Sequence, residues 1–210
     1  MTPRSVTPVP RHLSENQIAG EPMTQFALWM DDALASGMPE PTAMVLSTIT
    51  AEGRPRARTV LLKAHDQAGF TFYSNRTSRK GRELAGNPSA CLVFPWYGIE
   101  RQVIVEGQVR ELSQTESEPY YRSRPRLSQI GAWASRQSTV IASRAVLDDR
   151  VAELERRWPE PGRVPMPDFW GGYLLEPDAV EFWQAGAFRL HDRLRYRRVD
   201  DGWVVDRLSP

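Results

Sequence analysis

Hydrophobic and polar residues follow two different periods along this 210-residue chain. Between Ala43 and Leu112, short runs rich in β-branched and aromatic residues are separated by turn segments such as A-E-G-R, which predicts strands joined in hairpins. The pattern returns near the C-terminus in G-G-Y-L-L, A-V-E-F-W-Q, R-L-H-D-R-L-R-Y and W-V-V-D-R-L. Since strands and helices do not alternate regularly, we expect a mainly β fold, an antiparallel barrel with peripheral helices.

Helical periodicity occurs in four segments. Pro22 suits the first position of a helix whose apolar stripe includes Phe26, Trp29 and Met30, and Gly37 ends it. Three further helices are predicted at 78–85, at 113–124, with a capping box at its start and a proline after its end, and at 145–158. Residues 1–20 contain three prolines and no periodicity, which predicts a mobile N-terminal arm before a single domain at 21–210.

Composition excludes several classes of function. The 27 basic and 26 acidic residues give a net charge of +1, which argues against a nucleic-acid or membrane-surface binder. No stretch has the roughly 18 apolar residues of a membrane span, and no signal-peptide core is present, so we expect a cytoplasmic protein. His12, His65 and His191 are scattered, which predicts no metal site, and the single Cys91 in an apolar run is interpreted as a structural thiol.

The basic residues include 25 arginines and two lysines, Lys63 and Lys80. Lys80 ends Y-S-N-R-T-S-R-K, which follows a strand and opens a helix, so Ser78, Arg79 and Lys80 are candidates for binding a phosphate. A generic basic turn is an equally good interpretation. In R-T-V-L-L-K, a regular strand would point Arg58 and Lys63 to opposite faces, so both reach one ligand only if the strand bulges or ends near Lys63.

A third basic segment, Y-Y-R-S-R-P-R-L-S, combines tyrosine, arginine and serine. Tyr120 and Arg124 lie four residues apart on one helix face, and Ser128 follows just beyond the proline, so the three are candidates for closing around one phosphate. The alternative is that they are ordinary helix-surface residues.

The segment R-L-H-D-R is the most informative. On a strand, Arg189, His191 and Arg193 point to the same face and form a site for an anion or a polar ring. A solvated basic strand face is the alternative. Phosphate-binding residue types at several separate points, together with many aromatic residues, indicate two phosphorylated small molecules or one ligand with a large planar ring.

Six segments in order resemble the pyridoxine/pyridoxamine 5′-phosphate oxidase family, FMN enzymes with a split-barrel fold. They are R-T-V-L-L-K, F-Y-S-N-R-T-S-R-K, F-P-W-Y-G-I-E-R-Q-V, S-R-P-R-L-S-Q-I-G-A-W-A-S-R-Q-S, F-W-G-G-Y and E-F-W-Q…R-L-H-D-R, and the resemblance runs from about Pro22 to Pro210. It implies an antiparallel FMN-binding split β-barrel. It also implies a homodimer whose two flavin sites lie at the subunit interface, each built from both chains.

The resemblance further implies roles for particular residues. FMN contacts would come from Arg58, Thr59, Val60, Leu61, Leu62, Lys63, Tyr73, Ser74, Arg79, Lys80, Gln102, Gln137, Ser138, Trp183 and Arg193. Substrate contacts would come from Lys63, Tyr120, Arg124 and Ser128 at the phosphate and from Arg189, Leu190 and His191 at the ring. Arg189 and His191 would be the catalytic pair.

The implied reaction belongs to vitamin B6 synthesis or salvage. A hydride passes from C4′ of pyridoxine or pyridoxamine 5′-phosphate to the flavin, the imine formed from the amine substrate is hydrolysed, and O2 reoxidises the flavin. The products are pyridoxal 5′-phosphate and H2O2. The protein would contribute orientation and electrostatics, while the flavin carries the redox chemistry.

The chain departs from the family pattern at three places. The N-terminal segment lacks the Arg-x-Glu-Tyr sequence that helps to cover the substrate, Ala185 and Gly186 stand where Gly-Gly is frequent, and Ser74 replaces a common Thr. Two alternatives therefore remain open. One is a paralogous FMN oxidase of secondary metabolism, of the phenazine type, which has no use for four phosphate-binding residues. The other is a non-catalytic flavin- or haem-binding split-barrel module, against which R-L-H-D-R argues.

Overall fold

The computed structural model describes residues 12–200 and 202–210. Its helices within these ranges are α1 (Pro22–Ala35), α2 (Arg79–Gly86), α3 (Gln114–Ser123), α4 (Arg126–Ala134) and α5 (Ala145–Arg157). Its strands are β1 (Ala43–Ile49), β2 (Pro55–Leu61), β3 (Ala64–Asp66), β4 (Gly69–Asn75), β5 (Ser89–Trp96), β6 (Arg101–Glu111), β7 (Trp170–Gln184), β8 (Asp192–Val199) and β9 (Gly202–Arg207). None of these helices is long and apolar enough to span a membrane.

All of these strands belong to one antiparallel sheet with the order β2-β1-β5-β6-β7-β4-β3. The 15-residue β7 pairs with β6 along one edge, while its other edge pairs first with β4 and then with β8, which continues into β9. Two residues, Leu62 and Lys63, separate β2 from β3, and β2 also contacts β4, so the two ends of the strand order come together and the sheet curves into a barrel. The predicted antiparallel barrel is thus confirmed.

Alternation along the strands fills the barrel interior. Met44 and Leu46 on β1, two residues apart, are both fully buried. Helix α1 covers the core with Phe26, whose ring lies edge-on 4.7 Å from Phe70 and tilted 4.9 Å from Phe94. Burial of such aromatic side chains is the main favourable contribution to folding, so the barrel is a rigid frame for the loops at its ends.

A second, smaller core lies outside the barrel. Ile130 of α4 and Leu154 of α5 are buried against Val164 in the loop that precedes β7. The sequence pattern predicted α3 and its end before Pro125 correctly, but it did not predict α4. Pro125 explains the difference, because a proline that stops one helix also suits the start of the next, and it is the N-cap of α4.

Part of the predicted N-terminal arm is packed against β8 and β9. Leu13 is 8% exposed; its N–H donates to Asp192 Oδ2 at 3.0 Å, and its carbonyl accepts from Arg207 at 2.8 Å. Glu15 forms a salt bridge with Arg207 at 2.7 Å. These contacts tie this part of the predicted arm to the start of β8. Residues 1–11 lie outside the described residues, and the division into an arm and one domain stays a prediction.

Candidate active site

A cavity of about 640 Å³ opens where β2, the start of α2 and the loop after α4 meet. We call it the β2–α2 cradle; it is lined by Arg56, Ala57, Arg58, Thr59, Arg79, Lys80, Gln137 and Ser138. Six of these residues are among those for which the sequence predicted FMN contacts. The structure therefore brings together side chains from three distant segments that the sequence could group only by resemblance.

Local hydrogen bonds hold the start of α2 in the cradle. Ser78 is the N-cap, and its Oγ accepts from Gly81 N–H at 3.2 Å. Arg79 N–H donates to Ser138 Oγ at 3.2 Å, which ties the loop after α4 to the helix. Ser138 has a left-handed backbone with φ of 72°, a conformation that residues other than glycine adopt rarely. The loop is thus folded tightly onto the positive end of a helix dipole.

Lys80 is the most buried charge of the cradle, 8% exposed. Its Nζ donates to Ser74 Oγ at 2.9 Å and to Gln137 Oε1 at 3.1 Å, both neutral acceptors. Burial lowers the pKa of Lys80, as does the charge of Arg58, while Glu83 acts in the opposite direction. Among the described residues, no salt bridge joins Lys80 or Arg79 to a carboxylate. A buried ammonium with neutral partners fits an anion such as a phosphate.

A second group of predicted residues surrounds Tyr73, which lies on the face of β4 opposite to that of its neighbour Ser74. Its ring stacks 4.1 Å from Tyr120 and 5.3 Å from Trp170, and burial raises the pKa of the Tyr73 hydroxyl. The guanidinium of Arg124 lies 4.8 Å above the Trp170 ring. We call these four residues the tyrosine–arginine group. It joins a predicted FMN contact, Tyr73, to the predicted substrate residues Tyr120 and Arg124.

Arg124 has an unsatisfied buried nitrogen. Its Nη1 is shielded from solvent and has no hydrogen-bond partner in the described part of the chain. Burial lowers the pKa of Arg124, but an arginine stays charged at any physiological pH. A buried, charged and unpaired donor is costly, so it indicates a ligand that accepts a hydrogen bond there. Ser128, predicted beside it, lies in the first turn of α4 and is half-buried.

The segment between β2 and β3 meets a condition that the sequence set for Arg58 and Lys63 to contact one ligand. Strand β2 ends at Leu61, so Lys63 is freed from the strand alternation, one of the two predicted conditions. Lys63 is exposed, and its N–H donates to Thr71 O at 2.9 Å. Leu62 points into the barrel core, so a contact from Leu62 to a ligand would involve its backbone.

A third group lies across β6, β7 and β8. Gln102, Trp183 and Arg193 are direct partners in the strand register, so their side chains share one face of the sheet. Arg193 is held by Glu181 in a bidentate salt bridge, with 2.7 Å from Nε to Oε1 and 3.0 Å from Nη2 to Oε2. The Trp183 ring lies 4.6 Å from the ring of His191, so this group is in contact with the segment that joins β7 to β8.

The prediction that Arg189, His191 and Arg193 share a strand face is wrong. Strand β8 begins at Asp192, and Arg189 belongs to a 3₁₀ turn, Ala187–Arg189. We call residues 185–191, which join β7 to β8, the 185–191 turn. Phe188 and Arg189 have positive φ values of 56° and 64°, which no strand accommodates.

Gly186 explains why the 185–191 turn can close. A Cβ at this position would lie 1.9 Å from the carbonyl oxygen of Leu190, so the backbones approach too closely for any side chain. The N–H of Gly186 donates to His191 Nδ1 at 3.2 Å. The turn leaves Arg189 and Leu190 exposed and His191 half-buried. Of the two glycines frequent in the family, this chain keeps the one that the geometry requires.

These predicted residues form three clusters rather than one site. Tyr73 and Ser74 are adjacent on β4 and therefore point to opposite faces, which separates the tyrosine–arginine group from the cradle. No side-chain hydrogen bond, ion pair or ring contact among residues 12–200 and 202–210 joins one cluster to another. One chain thus presents three partial binding surfaces.

The sequence interpretation missed several residues at these surfaces. Arg56 lines the cradle together with Arg58. The sequence could have indicated it, because residues two positions apart on a strand lie on the same face. Trp170 was noted within F-W-G-G-Y but was given no role. Glu83, which contacts Arg58, carried no signal in the sequence, because its partner lies on a distant strand.

Two further interpretations concern residues outside these surfaces. Cys91 lies half-buried on β5, and burial raises the pKa of its thiol to about 11, so the thiol is protonated near neutral pH and is a poor nucleophile. The described residues contain no group of three or more His, Cys, Asp or Glu side chains that could hold a metal ion.

Two family models match this chain. The model described as "Pyridoxamine 5'-phosphate oxidase" matches residues 30–157, and the "Pyridoxine 5'-phosphate oxidase C-terminal dimerisation region" matches residues 170–210. Trp183, Arg193 and the 185–191 turn fall within the second match. Together the two matches include all of the described strands, β1 to β6 in the first and β7 to β9 in the second.

Similar proteins and solved structures point to the same family. A pyridoxine/pyridoxamine 5′-phosphate oxidase of Frankia alni is 58% identical, covering 94% of this chain and 84% of the relative, and one of Salinispora arenicola is 53% identical, covering 94% and 90%. The crystal structure of PhzG from Burkholderia lata 383, in complex with tetrahydrophenazine-1-carboxylic acid, is 32% identical with a TM-score of 0.89, covering 97% of this chain and all of that one. The chain belongs to the pyridoxine/pyridoxamine 5′-phosphate oxidase family, as its motifs predicted.

Proposed function

We propose that the protein oxidises pyridoxamine or pyridoxine 5′-phosphate to pyridoxal 5′-phosphate, with O2 as the electron acceptor and H2O2 as a product. Family membership confirms the predicted class of enzyme, an oxidase, and its cofactor, FMN. The observation that carries the choice of substrate is the buried, unpaired Nη1 of Arg124. It supports a second anion site, separate from the cradle, and a phosphorylated substrate supplies such an anion.

The β2–α2 cradle would hold the FMN phosphate. Lys80 and Arg79 supply positive charge, Ser138 and Thr59 supply hydroxyl groups, and the dipole of α2 adds to the same field. When bound, FMN supplies the two-electron redox chemistry that no side chain of the protein provides. The remaining predicted FMN residues, including Gln102, would orient the flavin ring.

Arg124, Tyr120, Ser128 and Lys63 would hold the substrate phosphate. The Trp170 ring lies 4.8 Å from the Arg124 guanidinium and supports it from one side. A phosphate held in this way would also limit the orientations of the pyridine ring attached to it. The ring would then be positioned before the chemical step, which lowers the entropic cost of reaching the reactive orientation.

His191 and Arg189 would act at the substrate ring. Because His191 Nδ1 accepts the N–H of Gly186, the neutral imidazole carries its proton on Nε2 and presents that atom as a hydrogen-bond donor. Arg189 would supply a fixed positive charge beside the ring, which stabilises negative charge that develops there. Leu190 would contact the ring through its exposed side chain.

A homodimer would assemble these surfaces into complete sites. The C-terminal family match is a dimerisation region, and it contains the 185–191 turn together with Trp183 and Arg193. We infer that each site takes some of its surfaces from one chain and the rest from its partner. A cytoplasmic location stays a prediction from the sequence.

One assay tests this function. The purified protein is mixed with pyridoxamine 5′-phosphate in air, and its absorption spectrum, pyridoxal 5′-phosphate and H2O2 are followed. We expect a yellow protein that forms both products in equal amounts. A protein that binds FMN without turning over would contradict the proposed substrate, while one that takes up no FMN would contradict both the substrate and the cofactor site.

A phenazine-type ring oxidation is the second candidate, because PhzG of Burkholderia lata shares the fold at 32% identity. A reduced phenazine precursor, supplied in parallel with pyridoxamine 5′-phosphate, distinguishes the two. We expect turnover of the phosphorylated substrate alone, and turnover that requires Arg124. A non-catalytic flavin or haem carrier would oxidise neither compound.

A further inference from the structure

Glu83 is a buried carboxylate directly behind the β2–α2 cradle. It lies on α2, one turn after Arg79 and Lys80, and is 9% exposed. Its Oε2 accepts from Thr48 Oγ1 at 2.6 Å and from Arg58 Nη2 at 2.9 Å. A carboxylate next to a proposed phosphate site is unfavourable by Coulomb's law, so its presence there calls for a physical reason.

The contacts of Arg58 provide that reason. In addition to Glu83, its Nη1 donates to Thr48 Oγ1 at 2.5 Å and to the carbonyl oxygen of Leu46 at 3.2 Å. Three acceptors on β1 and α2 therefore hold one guanidinium in a single orientation. An arginine side chain that is already ordered loses less conformational entropy when it binds a ligand.

Glu83 itself does not line the cradle. It lines an adjacent cavity of about 230 Å³, together with Glu52 and Arg56. The Nε of Arg56 lies 3.7 Å from Glu83 Oε1. Arg58, in contrast, lines the cradle. Glu83 thus contacts two arginines of the cradle wall from behind and can act on a bound anion through them.

We propose that Glu83 is a positioning residue for the cofactor phosphate, which it serves by fixing Arg58 in the wall of the cradle. The inference rests on the proposed function, since it requires the FMN phosphate in the cradle. Two effects of Glu83 oppose each other: its negative charge repels the phosphate, and its hydrogen bond orders the arginine. The position of Arg58 between carboxylate and cavity makes the ordering effect the larger one.

Flavin titrations of the apoprotein test this proposal, because loss of the two effects of Glu83 would change the Kd of FMN in opposite directions. Fluorescence quenching gives the Kd of FMN and of riboflavin, which lacks the phosphate, for wild type and for Glu83→Ala. If Glu83 orders Arg58, Glu83→Ala raises the Kd of FMN about tenfold, in keeping with a lost charge-assisted hydrogen bond, and leaves that of riboflavin unchanged. An unchanged or lower Kd for FMN would overturn the proposal.

Three variants serve as controls. Glu52→Ala removes a carboxylate from the same adjacent cavity without touching Arg58, so it should leave the Kd of FMN unchanged or slightly lower. Glu83→Gln keeps an acceptor and should recover most of the FMN affinity lost in Glu83→Ala. Thr48→Val removes another acceptor of Arg58 at constant charge and should raise the Kd of FMN; it decides the matter if Glu83→Ala does not fold.

Wild type itself separates the two hypotheses. A wild-type protein that binds FMN and riboflavin equally would contradict the phosphate site in the cradle and therefore the proposed function. A wild-type preference for FMN that Glu83→Ala and Thr48→Val leave intact would contradict only the role of Glu83.

Discussion

The β2–α2 cradle and the 185–191 turn are both proposed binding surfaces, yet the chain fixes them to very different degrees. In the cradle, Lys80 is 8% exposed and hydrogen-bonded to Ser74 and Gln137. In the turn, Phe188 is 95% exposed, and Arg189 has a left-handed backbone and an exposed side chain. One surface is ordered by its own chain, and the other holds a strained conformation with little packing around it.

The difference corresponds to what each surface has to do. A cofactor that stays bound through many turnovers benefits from donors that are ordered before it arrives. A substrate enters and leaves at every turnover, so the surface that closes on it has to remain open to solvent in part. Backbone strain of about 1–3 kcal/mol per residue in a rare conformation persists when function or a further contact requires it.

The largest effect is expected for Arg189→Ala in the 185–191 turn, which tests the difference between the two surfaces. Because Arg189 is proposed to act on the substrate ring and has no role in the cradle, we expect kcat/KM to fall about 100-fold, as for loss of one charge-stabilising donor. The Kd of FMN should be unchanged. Steady-state kinetics and a flavin titration measure the two effects. A variant that purifies without flavin and regains normal turnover with added FMN would reverse the assignment.

Lys80→Met is the matching change in the cradle. Loss of the buried ammonium should raise the Kd of FMN about 30-fold, the effect of about 2 kcal/mol expected for a hydrogen bond to a charged group. The affinity for riboflavin should change little. With saturating FMN, turnover should return to near the wild-type value. Lys80→Arg keeps the charge but brings a planar fork into a site shaped for an ammonium, so a smaller loss is expected.

Leu13→Ala tests how the N-terminal segment supports the turn. Leu13 is buried against β8, where its N–H binds Asp192, the residue after His191. We expect unfolding to become easier by about 1.5 kcal/mol, the order of an apolar side chain lost at the edge of a core, without a change in FMN affinity. Leu34→Ala, at a residue that is 55% exposed on α1, is the control and should have little effect in thermal unfolding.

Phe188→Asn should have the smallest effect. Asparagine adopts the left-handed conformation far more readily than a bulky aromatic residue, so relief of strain should stabilise the fold by about 1 kcal/mol. Urea unfolding of wild type and variant measures the difference. A loss of stability would show instead that the exposed phenyl ring packs on the partner subunit, which would make the turn a surface completed by dimerisation.

The sequence pattern predicted most elements of the fold, because period and capping are local signals. Helix α3 has Ser113 as its N-cap, with the expected capping box, and α2 has Ser78 as its N-cap. Strand β7 was expected as two shorter runs and is one strand of 15 residues. At the junction between the runs, β7 carries one extra residue, Asp178, opposite β6, and its other edge changes partner from β4 to β8, which no local pattern records.

The candidate site was predicted less evenly. Motif resemblance identified six residues of the cradle. The alternation of side chains along β2 indicated that the strand must bulge or end near Lys63 if Lys63 and Arg58 are to contact one ligand, and the strand does end there. The strand assigned to Arg189 and His191 failed, because Gly186 and two left-handed residues form a turn in a segment whose composition is typical of a strand. Resemblance named residue types and their positions, but it could not give their backbone conformation.

By itself, the sequence determined most of the strands and helices, the starts of α2 and α3 and the residue types available for binding phosphate, since all of these depend on neighbours within a few positions. It also determined the family, through six segments spread along the chain. The tertiary structure alone decided which distant residues meet. Lys80 meets Gln137 57 residues away, and Glu83 meets Arg58 across 25. Such contacts arise from long-range strand pairing and core packing, whose free energies depend on the whole barrel and leave no periodic trace along the chain.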